Sequence, residues 1–354
     1  MTRVEHFRTA LLPADRGTPA QALLAALKDG GAALLEVLIH YGLGAWWHHV
    51  LQSAGLINTL PPETANSLHA AHAGAAAHYL AQREALMRID RLFGTAEIRY
   101  AVMKGAHVRE CVYPDPVLHA SGDVDVLIAP DDRLPAARVL REAGFAYHEN
   151  RTTISHEASF VRSPVDIDLH WDILRPGRTR RPMAEDMLAR RQRVGGFWAL
   201  SDSDALFVML THPAFAKYVC SPNMGLLQVA DFLLWSEAKP EAWTAAERLL
   251  DAAGLRTAAW TMLGWYGTLA TPAHASRIAE WRRRLQPGRL RAAYLEYWLA
   301  HDLPGRWLDR PLRIQLGLTL WLHDRPSDAL RAARGWLGSR LARSEDARSL
   351  LAGA

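Results

Sequence analysis

Ser121-Gly122-Asp123-Val124-Asp125-Val126-Leu127-Ile128 is the stretch from which the fold is read. Its apolar, β-branched end predicts a buried strand entered from a glycine turn. Side chains alternate along a strand, so Asp123 and Asp125 point to one face and Val124 and Val126 to the other. Two carboxylates on one face repel each other, and neither desolvates cheaply. A shared divalent cation relieves both costs, and oxygen-only ligands at this spacing suit Mg²⁺ or Mn²⁺. An isolated Asp-x-Asp is more often two solvated aspartates at a strand mouth; the neighbouring segments reverse those odds.

Upstream, Ile98–Met103 reads as a strand that turns through Lys104-Gly105-Ala106 into a short helix ending near Cys111. A glycine at such a turn lets backbone N–H groups approach a phosphate, and the helix N-terminus favours negative charge. Lys104 adds a point charge there. Downstream, Asp131 or Asp132 caps a helix that Gly144 ends, and Phe145–His148 is a strand. His156–Val161 and Val165–Trp171 form a hairpin around Arg162-Ser163-Pro164. Along the second arm Asp166, Asp168 and His170 share one face, with Ile167, Leu169 and Trp171 on the other. The order strand–helix–strand–helix–strand–hairpin describes a small α/β unit with a mixed sheet.

Helical patterns flank this unit. Residues 1–17 read as irregular, Thr18-Pro19 opens a helix to about Lys28, and Gly30-Gly31 separates it from a second over 32–52. In that second helix His48 and His49 diverge by about 100°, so they pack rather than bind a shared ligand. Pro61-Pro62 opens an alanine-rich helix over about 62–94, with His69, His72 and His78 on its surface. After Met183 the helical pattern returns: 202–216, 225–236, 241–253, 255–269, 273–285, 289–300, 310–323 and 327–341, with the tail from Ala342 frayed. Arg277, Arg282, Arg283, Arg284, Arg289, Arg291, Arg306, Arg310 and Arg313 crowd this part. They read as solvated helix faces, with a wall facing an anionic substrate as the sharper alternative. The expected division is 1–96 helical, 97–200 α/β core and 201–354 helical.

The 354 residues, 49% hydrophobic and 22% charged, suit a well-cored protein of two or three domains. A net charge of +4 favours anionic ligands but is too weak to argue for nucleic acid. Two cysteines, Cys111 and Cys220, exclude a disulfide framework and a cysteine-rich metal site, and fit a reducing, cytoplasmic setting. The first residues, MTRVEHFRTALLPADRG, carry no apolar signal region, and no run of about 18 apolar residues predicts a membrane span. Most of the 13 tryptophans sit in helical segments as packing residues.

Three carboxylates on adjacent strands can hold two metal ions about 4 Å apart and stabilise in-line displacement at phosphorus. A carboxylate then serves as base toward an attacking hydroxyl.

The run MKGAHVRECVYPDPVLHASGDVDVLI, followed by VDIDLHW, resembles the bacterial uncharacterised nucleotidyltransferase family of the DNA-polymerase-β-like superfamily. The likeness extends to Leu210-Thr211-His212 and Gln228-Val229-Ala230-Asp231-Phe232. It implies an α+β fold: a nucleotidyltransferase palm, a small mixed sheet with helices, flanked by N- and C-terminal helical parts. It implies that Asp123, Asp125 and Asp168 bind metal and catalyse, and that Lys104, Gly105, Ala106 and Gly122 hold the nucleotide. Asp166 is the alternative third acid, and His119, His170 and His212 are further site candidates. Two departures stand out: Ala106 replaces the superfamily's Ser or Gly, and His119 stands where an Arg is expected. The implied reaction is Mg²⁺- or Mn²⁺-dependent transfer of a nucleoside monophosphate from an NTP, ATP first among them, to an acceptor hydroxyl. The acceptor, a small molecule, peptide or protein, is unread; relatives often occur beside lasso-peptide or polysaccharide biosynthesis genes. The rival readings are a non-catalytic nucleotide- or peptide-binding member and an Asp-x-Asp glycosyltransferase, which the mostly helical residues before the first strand disfavour.

Overall fold

Alternation along the central strands sorts the molecule into two apolar clusters. The computed structural model describes residues 3–148, 156–219 and 225–335. Four helices come first: α1 (Arg3–Ala10), α2 (Ala20–His40), α3 (Gly44–Ser53) and α4 (Pro62–Thr95). The sheet region follows with β1 (Tyr100–Met103), α5 (Lys104–Val112), β2 (Val124–Ile128), α6 (Arg133–Glu142) and β3 (Ala146–His148). It continues through β4 (Glu157–Arg162), β5 (Val165–His170), α7 (Ala184–Ala189), β6 (Gln192–Val194) and β7 (Phe197–Ala199). The remaining helices are α8 (Asp202–Ala216), α9 (Leu226–Ala238), α10 (Ala242–Ala253), α11 (Arg256–Leu269), α12 (Pro272–Arg284) and α13 (Arg289–Ala300). Two short ones, α14 (Leu303–Arg306) and α15 (Pro311–Ile314), lead to further helical backbone over 326–335.

The fold is α+β, with one seven-stranded mixed sheet among the described residues, ordered β3-β4-β5-β2-β1-β7-β6 and flanked by helices from both ends of the chain. In the centre β2 runs antiparallel to β1 and parallel to β5. Val102, Val124, Val126, Ile167 and Leu169 pack on one side against Leu86, Ile89 and Phe93 of α4 and Leu140 of α6. Ala101, Met103 and Leu127 face the other side and join a larger cluster with Leu38, Trp47, Trp235 and Trp260. Each fully buried large apolar side chain contributes roughly 1.5–3 kcal/mol, so the tryptophans in this second cluster help fasten the flanking helices to the sheet. Trp243 and Trp281 stack at 4.2 Å between ring centres.

Local chemistry accounts for several boundaries. Ser201 caps α8 by accepting a hydrogen bond from the Asp204 N–H, with Asp202 and Asp204 in the first turn. Gly254 ends α10 in the left-handed region at φ 76°. Neither Asp131 nor Asp132 caps α6 through its side chain; a short 3₁₀ turn, Pro130–Asp132, leads into the helix instead.

Four expectations are corrected. Residues 3–10 form a helix, because Phe7 and Ala10 find a buried face. The second helix of the N-terminal part breaks at Gly42, φ 73°, where an added Cβ would stand 2.9 Å from Leu227 Cδ1; α2 in turn runs on through a kink at Gly31. The 310–323 segment is not one helix: Pro311 restarts α15, which passes into a single π turn, Gln315–Thr319. The chain after Met183 is not wholly helical, since β6 and β7 form a hairpin through Gly195 and Gly196, both at positive φ. Cys220, the end of the 327–341 helix and the tail from Ala342 lie outside the described residues. No helix among the described residues is long and apolar enough to cross a membrane.

Candidate active site

The face of β2 and β5 opposite the valines opens into a cavity of about 720 Å³. Its walls come from the break after α2 (residues 39–42), the start of α5, the 119–123 loop, β4–β5, α8 and α9. The parallel register pairs Asp125 of β2 directly with Asp168 of β5. Both line this cavity, as do Lys104, Gly105, Gly122, Asp123, His119 and His212.

Lys104 sits in the left-handed region, φ 55°, at the junction of β1 and α5. That conformation is costly for a side chain bearing a Cβ, and it coincides with an ion pair: Lys104 Nζ lies 2.5 Å from Asp125 Oδ1. The same oxygen lies 2.8 Å from His170 Nε2. Burial alone would raise the Asp125 pKa, but Lys104 and His170 hold it well below the usual carboxylate range. Burial works against the Lys104 charge too, and Asp125 and Asp123 outweigh it, so the ammonium is held above its ordinary pKa.

Asp123 and Asp168 go the other way. Asp123 opens onto the cavity beyond the strand's first residue, and its pKa is pushed up to about 6, first by the Asp125 charge and then by burial. Burial raises Asp168, although Ser159 Oγ donates to its Oδ1 at 2.6 Å. His212 is held well below its ordinary value by burial and by the nearby Lys104 charge.

Ligand atoms of Asp125, Asp168 and His170 lie within 4.8 Å of one another, a donor set that fits a divalent cation. Asp123 is not part of that cluster. A second cluster joins His156, Glu157 and His170 within the same limit. His170 bridges the two, with Nδ1 3.4 Å from Glu157 Oε2. Sequence reasoning missed Glu157 and His156. The signal was available: counting back from the Arg162-Ser163-Pro164 turn sets Glu157 opposite His170, as the β4–β5 register does.

The need for glycine at 105 is steric. A Cβ there would stand 2.6 Å from His119 Cε1 and 3.0 Å from Ser121 Oγ. The His119 ring cannot yield, being 4% exposed with Nε2 3.0 Å from Asp231 Oδ1. Tyr113 donates its hydroxyl to the same carboxylate at 2.9 Å. Ser121 is held from α4: Gln82 Nε2 donates to its carbonyl at 3.1 Å, and Arg109 donates to Gln82 Oε1 at 2.7 Å.

Two candidates stand away from this arrangement. Ala106 is buried in the apolar cluster behind the sheet and does not line the cavity. Asp166 is exposed near the start of β5 and does not line it either. None of the nine C-terminal arginines lines the cavity. Instead Arg284 pairs with Glu247 and Arg282 with Glu296, while Arg277 and Arg291 donate to backbone carbonyls. The arginines that do line it, Arg175 and Arg178, follow β5 in an irregular segment without periodicity to betray them; Lys104 and Lys217 line it as well.

Residues 31–270 match a family model described as "Uncharacterised nucleotidyltransferase". No curated protein matches the chain.

Proposed function

The chain belongs to the uncharacterised nucleotidyltransferase family, and from that premise we propose that it moves a nucleoside monophosphate from an NTP to an acceptor hydroxyl. The observation that carries this reading is the Asp125–Asp168 pair, in register and facing the cavity that Gly105 and Lys104 border. In this proposal Asp125, Asp168 and His170 would hold Mg²⁺ or Mn²⁺, and Asp123 borders the same cavity. The cation, when bound, supplies charge to the phosphate oxygens and acidifies the attacking hydroxyl.

The rest is done by side chains. Lys104 offers a positive charge to the triphosphate. His119, locked by Asp231, keeps the 105 position free of side chain so that backbone can approach phosphate. Ser159 occupies Asp168 Oδ1 and leaves Oδ2 to take the hydroxyl proton; its raised pKa suits a base. ATP is the proposed donor, residues 97–200 the proposed chemical core, and residues 1–96 and 201–354 its proposed helical flanks. Two cysteines in the sequence favour a cytoplasmic setting.

The test is incubation with labelled ATP, GTP, CTP and UTP in Mg²⁺ or Mn²⁺. Label transfer or pyrophosphate release that disappears in Asp125→Asn and Asp168→Asn supports the reading; NTP turnover unchanged in both variants overturns it. One observation favours a second reading, a nucleotide-binding protein without turnover: the Lys104 ammonium already neutralises Asp125. That reading requires NTP binding without metal and without pyrophosphate release.

A further inference from the structure

Arg178 is 3% exposed, yet no carboxylate among the described residues pairs with it. Other arginines of the C-terminal half do find acids: Arg190 pairs with Asp204 and Arg180 with Asp328. Arg178 instead donates to Gln315 Oε1 at 2.8 Å, lies 3.5 Å from both oxygens of Thr319, and stacks 4.8 Å over the Phe215 ring. A buried charge without a counter-ion costs several kcal/mol. Arg175, three residues earlier and half-buried, adds a like charge beside it, also without an acid among the described residues.

Both arginines line the cavity that holds Asp125 and Asp168. Burial and the Arg175 charge pull Arg178 down only to about 9, so it stays protonated at neutral pH. At neutral pH the charged group that acts on it is Arg175; Asp123, Asp125 and Asp168 are not among the groups that shift it. Arg109, also fully buried, differs: Glu110 stands next to it and it does not line the cavity.

The turn bearing the pair is closely packed. Arg178 N–H donates to the Arg175 carbonyl at 3.1 Å. Gly177, at φ 81°, leaves no room for a Cβ, which would stand 2.7 Å from the Arg331 carbonyl oxygen. A Cβ on Gly335 would strike the Pro176 carbonyl oxygen at 2.1 Å, so backbone packs on backbone there. One guanidinium held in advance, Arg178 by Gln315, Thr319 and Phe215, with a second carried three residues earlier on the same turn, makes a receptor for an oxyanion.

We propose that Arg175 and Arg178 form an oxyanion subsite for the acceptor, which is a molecule carrying a phosphate or carboxylate group. The assignment of that anion to the acceptor rests on the nucleotidyltransferase reading; the subsite itself does not.

The test is calorimetric titration of the full chain with inorganic phosphate, with and without a saturating non-hydrolysable ATP analogue and Mg²⁺. A charge-assisted hydrogen bond contributes about 1.5–3 kcal/mol, so Arg175→Gln and Arg178→Met should each weaken phosphate at least about tenfold. Arg178→Lys should weaken it less, and Arg310→Gln, at an exposed arginine that does not line the cavity, should leave it unchanged. Phosphate binding that persists in the analogue-saturated protein supports an acceptor subsite. Displacement of phosphate by the analogue assigns the arginines to the nucleotide tail and overturns the acceptor assignment. Unchanged phosphate affinity in Arg175→Gln, which breaks no hydrogen bond or ion pair among the described residues, overturns the subsite altogether. An analogue that fails to bind counts against the nucleotidyltransferase reading alone, because phosphate still reports on the arginines.

Discussion

Asp125 and Asp168 stand directly opposite one another on adjacent parallel strands, and one histidine, His170, reaches within 2.8 Å of the first of them. Two carboxylates at that spacing are stable only with positive charge between or beside them. The protein provides a lysine, and the proposed function adds a metal.

Replacing either acid removes one of the three side chains of the proposed cation site. Asp125→Asn and Asp168→Asn should each lower NTP turnover by roughly a hundred- to a thousandfold, given that a catalytic metal supplies several kcal/mol. The double variant should fall little further, because the two act as a unit. Steady-state pyrophosphate release measures this, with circular dichroism confirming that the fold is retained.

Lys104 and a divalent cation compete for Asp125 Oδ1, since the ammonium lies 2.5 Å from it. Lys104→Met should therefore bind Mn²⁺ more tightly than the parent, even as turnover drops. It should also lose stability without metal, by about 3–5 kcal/mol at most, because the buried Asp125 carboxylate loses its ammonium partner and keeps only His170. Urea unfolding with and without Mn²⁺ tests both signs; weaker Mn²⁺ binding in the variant would refute the competition.

Glycines 105 and 122 should respond differently to the same change. Gly105→Ala drives a methyl into the His119 ring and should cost about 1–3 kcal/mol and most of the turnover. Gly122→Ala meets nothing within 4 Å and should stay within about 0.5 kcal/mol of the parent. Denaturant midpoints compare the pair directly.

Acid should destabilise the fold through His107. This side chain is wholly buried against Trp235, and burial lowers its pKa to about 4. Between pH 6.5 and about 4 the unfolded chain binds a proton there that the folded chain does not. Stability therefore falls as pH falls across that window. His107→Leu, which also removes two buried nitrogens without partners, should flatten this limb. Urea unfolding at pH 7.5 and pH 5 gives the slope; an unaltered slope would exclude His107 as its source.

What could be read in advance depended on length and period. The alternation in VDVLI and VDIDLH gave the faces of β2 and β5, since a two-residue period survives in short strands. It could not give the register, which depends on the hydrophobic packing of both strands against α4. The 34-residue α4 was legible because its small side chains and leading prolines are strong local signals. The three-residue strands β6 and β7 were not: RQRV looks solvated, and only Gly195-Gly196 marked the turn. Glu157 was hidden by ordinary composition, its place beside His170 emerging only from the hairpin pairing.

The walls of the cavity come from residues 39–42 and from α8 and α9, far apart in the chain, while the acids lie between them. During synthesis, a polypeptide that has emerged from the ribosome only as far as β5 already displays Asp123, Asp125 and Asp168 without the enclosure that follows. Such a nascent chain carries the three acids and the earlier walls of the cavity but lacks α8 and α9, so its pocket is open until translation has delivered those helices.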